Sequence, residues 1–376
     1  MYHTIKNLNH RLTLLATAAL ALASLYSCNK LAEDKTPFLE EETLSAVETS
    51  DQPGSIRLDV GLDYECVASS PTKAVTSYTT VENYEKAIVQ VDVFVFHKAT
   101  GILNAHLVVN SPTITDNHFS IEEVPCTQGI KRVFVVVNGS AITGLSSVTR
   151  ESEFTALTTD LSHNSRETDK GFVMIGRSGD LNVTGMDTGC SISLRRTAYR
   201  VVLQKITNST ALGPITLKGA FLINSGRSVS VTMSNETTMP KASSAAYNVA
   251  GKKIGSSDFV TGSASSDVPD LLYQDLGNTV LAQGSSLSPT LKFYGLPHNA
   301  HDATPERLVL LANVGGTDFY YPMTLAATSG NQTYTVELTI RNIGSLDPNL
   351  PVATGDIDVS FTLMSWVTGN NQEVTI

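Results

Sequence analysis

Residues 55–66 read SIRLDVGLDYEC, and the side chains change character at every step. Ile56, Leu58, Val60, Leu62, Tyr64 and Cys66 are apolar, while Arg57, Asp59, Gly61, Asp63 and Glu65 between them are not. Successive side chains of an extended chain point to opposite faces, so this run buries one clean face only as a β-strand. The same alternation, or a short continuous apolar run, recurs along the whole sequence. Ala87 to Val109 reads as two strands joined by a turn at His97–Gly101, HFSIEEVP and Ile130 to Ser140 add two more, and GFVMIGRSG follows. A second set begins with a strand over Ser191–Ile206. It continues through ITLKGAFLIN, LKFYGLP, RLVLLANV, FYYPMTL, TYTVELTIRNIG and DIDVSFTLMSWV. Only Thr149 to Leu161, with Phe154, Leu157 and Leu161 at helical spacing, predicts a helix.

A chain of 376 residues exceeds the usual size of one core, so two domains are expected. Many short strands separated by turn residues make this an all-β protein: two β-sandwiches in tandem, over 55–190 and 191–376. Residues 225–285, rich in Ser, Thr, Gly and Asn, read as a long loop or decorated insertion. Residues 29–54 carry seven acidic side chains against Lys30 and Lys35 and show no apolar period, which predicts a disordered acidic tether.

The first 28 residues are read as a targeting segment. Lys6 and Arg11 precede a 14-residue apolar stretch, Leu12 to Leu25, which is short for a membrane span. It ends in Leu25-Tyr26-Ser27-Cys28, the pattern of a bacterial lipobox, in which the Cys28 thiol is lipidated; an ordinary signal peptide with an incidental cysteine is the alternative. Cys66, Cys126 and Cys190 remain, an odd number for an exported chain. Cys126 and Cys190 could pair, although their spacing does not require it.

A net charge of −10 disfavours nucleic acid as a partner, since phosphates call for a basic face. Candidate chemistry is sparse. Ser70 to Lys73 matches S-x-x-K, but Pro71 argues against the helix that such a pair needs. His298 and His301 near Asp302 have a metal-like spacing, yet Pro297 and Pro305 make a solvated loop the better reading. No catalytic residue, metal or other cofactor is expected. Beyond Trp366 the sequence closes with Val374 and Ile376, a β-forming tail whose edge another chain could pair with.

Taken in order, the lipobox LYSC, the alternating strand with TKA after it, VQVDVFVF, VPCTQGIKRVFVVVNGS, SEFTALTTDL, ISLRRTAYRVVLQKI, TYTVELTIRNIG and FTLMSWV resemble the fimbrillins of Bacteroidales, lipoprotein precursors of the type V pilus. The resemblance spans most of the chain. It implies two transthyretin-like (Greek-key) β-sandwiches and a precursor held at the outer membrane by lipid. A surface protease would cut in the loop after the first strand (67–80). The first strand, with Ile56, Leu58, Val60, Leu62 and Tyr64, would then be displaced, and a C-terminal donor strand with Val367, Val374 and Ile376 from another copy would take its place. By position the cut falls between Lys73 and Ala74. Familiar fimbrillins carry arginine there, so the implied partner is a trypsin-like protease or a gingipain-type one that accepts lysine. Other copies of the chain and minor fimbrial subunits are the further expected partners. An anchor or tip adhesin of the same family, or a glycan-binding surface lipoprotein, are the alternative readings.

Overall fold

The computed structural model describes residues 51–62, 81–115, 117–226, 228–232, 246–247, 271–297, 305–350, 352, 355–366 and 373–374. The signal segment, most of the tether, Ser70 to Ala74, Tyr64, Cys66 and the His298–Asp302 loop lie outside them.

In the first half, β1 (Pro53–Gly61) is followed by a single helical turn α1 (Asn83–Lys86), then β2 (Gln90–His97), β3 (Leu103–Asn110), β4 (His118–Thr127) and β5 (Gly129–Val137). A short helix α2 (Glu151–Ala156) precedes β6 (Thr158–Asp160), β7 (Met174–Arg177), β8 (Leu181–Val183), β9 (Thr188–Ser193) and β10 (Arg195–Arg196). One sheet has the order β4-β1-β9; the other runs β10-β7-β5-β2-β3, with β8 also on β5. Alternate residues of β1, β4, β2 and β5 meet in one core: Ile56, Leu58 and Val60 with Phe119, Val124, Val91, Val93, Val133 and Val135. The opposite face of β2 is buried as well, with Phe94 and Phe96 packed on Phe134 and on Phe154 of α2. That double burial explains why Val93 to Phe96 is a continuous apolar run while β1 alternates.

The second half holds β11 (Tyr199–Asn208), β12 (Ile215–Ile223), β13 (Ser225–Gly226), β14 (Ser228–Ser230), β15 (Ala246–Tyr247) and β16 (Tyr273–Leu281). After these come β17 (Ser286–Leu287), β18 (Leu291–Gly295), β19 (Arg307–Val314), β20 (Thr317–Thr324), β21 (Gln332–Ile340), β22 (Ile357–Ser365) and β23 (Glu373–Val374). They form the sheets β17-β11-β21-β22-β23, with β18 also on β11, and β16-β12-β19-β20. The fold class is thus all-β and sandwich-like, as expected. Strands up to Arg196 pair among themselves and those from Tyr199 onward likewise, apart from β14, which pairs with β6.

Three sequence expectations change. The helix over 149–161 stops at Ala156, because Leu157 is extended and Thr158–Asp160 pair with Ser228–Ser230 as strand. Its start is set by the Glu153 carboxylate, which accepts the backbone N–H groups of Thr149 (2.8 Å) and Arg150 (3.1 Å). The single strand over Ser191–Ile206 is three pieces: β9 runs parallel to β1, β10 pairs with β7, and β11 joins the other sheet. Finally, residues 225–285 are not all loop. Tyr273–Leu281 is an edge strand, and its exposed side explains its low apolar density.

Candidate functional site

The slot that β1 occupies is the candidate site. β1 pairs antiparallel with β4, from Pro53 opposite Thr127 to Gly61 opposite His118, and parallel with β9, from Ile56 opposite Thr188 to Gly61 opposite Ser193. It is therefore an interior strand, and both of its ladders belong to sequence-distant partners. The register slips once between Ile56 and Leu58, where β4 inserts an extra residue. That bulge accounts for the consecutive exposed pair Glu122–Glu123. Ile56, Leu58 and Val60 have no exposed surface and Leu62 has 3%. At about 1.5–3 kcal/mol each, these four side chains contribute on the order of 6–12 kcal/mol of apolar burial.

The slot also has a shape. A Cβ added at Gly54 would lie 2.9 Å from Val183 Cγ1 and 3.1 Å from the Gly185 carbonyl, so that end admits no side chain. Beyond it the inward positions take Ile, Leu, Val and Leu. Both ends are tied by backbone: the Ser55 N–H donates to the Gly185 carbonyl (3.1 Å), and the Leu62 N–H donates to the Asn117 carbonyl (2.9 Å). The Ser55 hydroxyl accepts the Asp187 N–H at 2.9 Å. Beside Pro53, the buried Lys131 ammonium fixes the β4–β5 turn by donating to the Gln128 carbonyl (2.9 Å), Thr127 Oγ1 (3.2 Å) and His97 Nδ1 (2.9 Å). Desolvation pushes the Lys131 pKa down; it does the same to His97, aided by the neighbouring Lys131 charge.

Cys126 and Cys190 stand on opposite walls of the slot, facing Gly54 and Leu58 respectively. Both are free thiols. Burial pushes Cys190 up to about 11, and it raises Cys126 as well, partly offset by the Lys131 charge.

Of the residues singled out in the sequence, Ile56, Leu58, Val60 and Leu62 are brought together on one buried face. Val374 falls in β23, where it pairs with Leu363 of β22. Tyr64, Cys28, Lys73, Ala74, Val367 and Ile376 lie outside the described residues. Sequence reasoning missed β9 as the parallel wall, the Gly54 stop and Lys131. Only Gly54 left a signal, as the residue that breaks the alternation before Ile56. Among the described residues no helix is long and apolar enough to cross a membrane, and no three His, Cys, Asp or Glu side chains cluster as metal ligands would.

The all-β fold of this chain is similar to that of solved cell adhesion and fimbrial proteins. A candidate cell adhesion protein from Bacteroides eggerthii DSM 20697 superimposes with a TM-score of 0.58 over 85% of this chain and 98% of its own, at 19% identity. Another from Parabacteroides distasonis ATCC 8503 gives 0.57 over 83% and 97%, at 16% identity. A fimbrillin from Porphyromonas gingivalis W83 gives 0.54 over 84% and 98%, at 15% identity. These likenesses are of fold. No curated protein matches the sequence. Residues 56–191, which begin inside β1 and end inside β9, match the family of the major fimbrial subunit protein (FimA). Over that stretch the chain is similar to the fimbrillin family.

Proposed function

We propose that this chain is a structural subunit of a surface fimbria that polymerises by strand exchange and serves adhesion and biofilm formation. The family match over residues 56–191 supports the coarser statement, a fimbrial structural or adhesive role in a cell-surface appendage rather than catalysis. The finer reading is that the chain is exported as a lipoprotein with lipid on Cys28 and held at the outer membrane. A trypsin-like surface protease then cuts it between Lys73 and Ala74. β1 departs, and a C-terminal strand of another copy, carrying Val367, Val374 and Ile376, enters between β4 and β9. Minor subunits of the same fimbria complete the set of partners. The division into sandwich domains over 55–190 and 191–376 is part of this reading.

One observation carries it. β1 is an interior strand with both ladders filled, yet it is joined to the next described element only through residues 63–80, which include Lys73. While that connection is intact, β1 has no reason to dissociate. Once cut, it can be displaced stepwise by a strand that replaces both ladders, which is β-strand addition used for assembly. A head-to-tail contact that does not close builds a filament.

The test uses precursor lacking residues 1–28, treated with limiting trypsin-like protease and run on a denaturing gel without boiling. A stalk subunit loses the segment ending at Lys73 and forms a ladder of oligomers. Deleting residues 368–376 leaves the cut intact and abolishes the ladder. A deletion variant that still ladders overturns the C-terminal donor, and a chain that is cut yet stays monomeric points to an anchor or tip role.

A further inference from the structure

Away from the slot, residues from six separated parts of the chain converge on one buried charged cluster. Arg200 Nη1 donates to both oxygens of the Glu85 carboxylate at 3.0 Å, and these two side chains are 2% and 0% exposed. The same carboxylate accepts the Tyr294 hydroxyl and the Glu82 N–H, each at 2.6 Å. Arg196, 1% exposed, makes hydrogen bonds to backbone carbonyls: Nε and Nη2 donate to that of Glu85 (3.1 and 2.7 Å), and Nη1 donates to that of Trp366 (3.0 Å). The Arg196 and Arg200 guanidinium carbons stand 4.7 and 5.2 Å from the Trp366 ring centroid. Trp366 has no exposed surface; its backbone N–H donates to the Asn331 carbonyl (2.8 Å), and its ring stacks on Tyr294 and meets Phe172 edge-on.

Where these residues sit in the chain gives the cluster its meaning. Glu85 lies in α1, among the first described residues after 63–80. Arg196 follows the slot wall β9 by three residues. Trp366 directly follows β22 and precedes the tail of residues 367–376. A buried ion pair is weak evidence for stability in itself, because desolvation offsets much of its attraction. It is, however, intolerant of partial removal: withdrawing Trp366 would strip Arg196 of a carbonyl and a ring face inside the core. An apolar contact can slide; this one cannot.

We propose that Glu85, Arg196, Arg200 and Trp366 form a pin that decides which parts of the chain change partners and which stay. The inference rests on the strand-exchange reading and deepens it. The segment after the cut is retained at Glu85, so β1 leaves without it. The tail is rooted at Trp366, so β22 stays on β21 and only residues beyond 366 swing out. Tension on a fibre then passes from the tail through Trp366 and Arg196 directly into β9, the wall that grips the next subunit's strand. These four are positioning residues: none of them lies in β1 or in the tail beyond residue 366.

Hydrogen exchange resolved by peptide tests this on the precursor lacking residues 1–28 and on its protease-cut polymer. Protection at 82–86 and 357–366 is expected to be the same in both. A fall of about 100-fold at 357–366 in a polymer that ladders normally would overturn the pin while leaving strand exchange standing. If no ladder forms, the strand-exchange reading fails, and the pin is still decided on the precursor by Arg196→Met. That variant is expected to lose about 10- to 100-fold protection at 82–86 and 357–366 while β2 and β5 keep theirs. Uniform loss, or none, sinks the proposal. Trp366→Phe, which keeps the carbonyl and most of the apolar volume, guards against misfolding of Arg196→Met and should show the same local pattern more weakly.

Discussion

Gly54 and Gly61 are both glycines in β1, yet their surroundings give them different roles. At Gly54 a Cβ would meet Val183 and the Gly185 backbone, neither of which can turn aside. At Gly61 the obstacle is the His118 ring, 2.9 Å away at Cε1 and free to rotate because it is half exposed. Gly54→Val should therefore destabilise the precursor by about 1–3 kcal/mol through overpacking, whereas Gly61→Ala should cost much less. Chemical denaturation of the two variants checks this; equal midpoints would mean that the slot does not close at Gly54. The same stop bears on assembly, because any strand entering in this register needs a residue without a side chain at its start.

Among the elements, β1 differs from other buried strands because the residues lining its two walls include the chain's described cysteines. Only the thiolate attacks, and burial raises the pKa of both Cys126 and Cys190, so both are expected to react slowly in the precursor. Removing β1 admits water to both walls and lowers both pKa values toward the ordinary thiol range. In a precursor lacking residues 1–28 and 368–376 and carrying Cys66→Ser, protease treatment should raise the labelling rate of both thiols about 10-fold or more at pH 8. With the tail present, polymerisation should cover them again. Labelling that stays slow after cutting the tail-deleted chain would show that β1 remains in its slot. Legibility in the sequence follows the same division. The inward face Ile56-Leu58-Val60-Leu62 was plain, because period two is a local property. The parallel partner β9 was not, because Thr188–Ser193 has one fully buried apolar residue, Ile192, and its pairing is set by a strand more than a hundred residues away.

At the scale of the molecule, the first half carries two half-buried histidines that acid should charge. Desolvation lowers the pKa of His97 and His163 below the ordinary 6.5; Lys131 adds to this at His97 while Asp51 opposes it, and Asp160 opposes it at His163. A base whose folded pKa is depressed binds its proton more readily unfolded, so its contribution is complete above pH 6.5 and is lost as pH falls through the folded value. The melting temperature is expected to drop between pH 7 and pH 5, above the range in which the lowered carboxylates Asp180 and Glu153 titrate. His97→Gln should flatten part of that slope and His97→Gln/His163→Gln more of it. A slope unchanged in the double variant would place the acid sensitivity elsewhere.

What the sequence determined by itself was the fold class and the identity of the strand in question, since both follow from the order of apolar and polar residues along a short stretch. It could not show that Glu85, Arg196 and Arg200 belong to a core, because a charged residue reads as solvated until its partners are known. Those partners lie 111 to 170 residues away in the chain, and only the tertiary structure brings them within hydrogen-bonding distance. The Gly54 stop was hidden for the same reason: it is a property of Val183 and Gly185, across the core from the residue that must accommodate them.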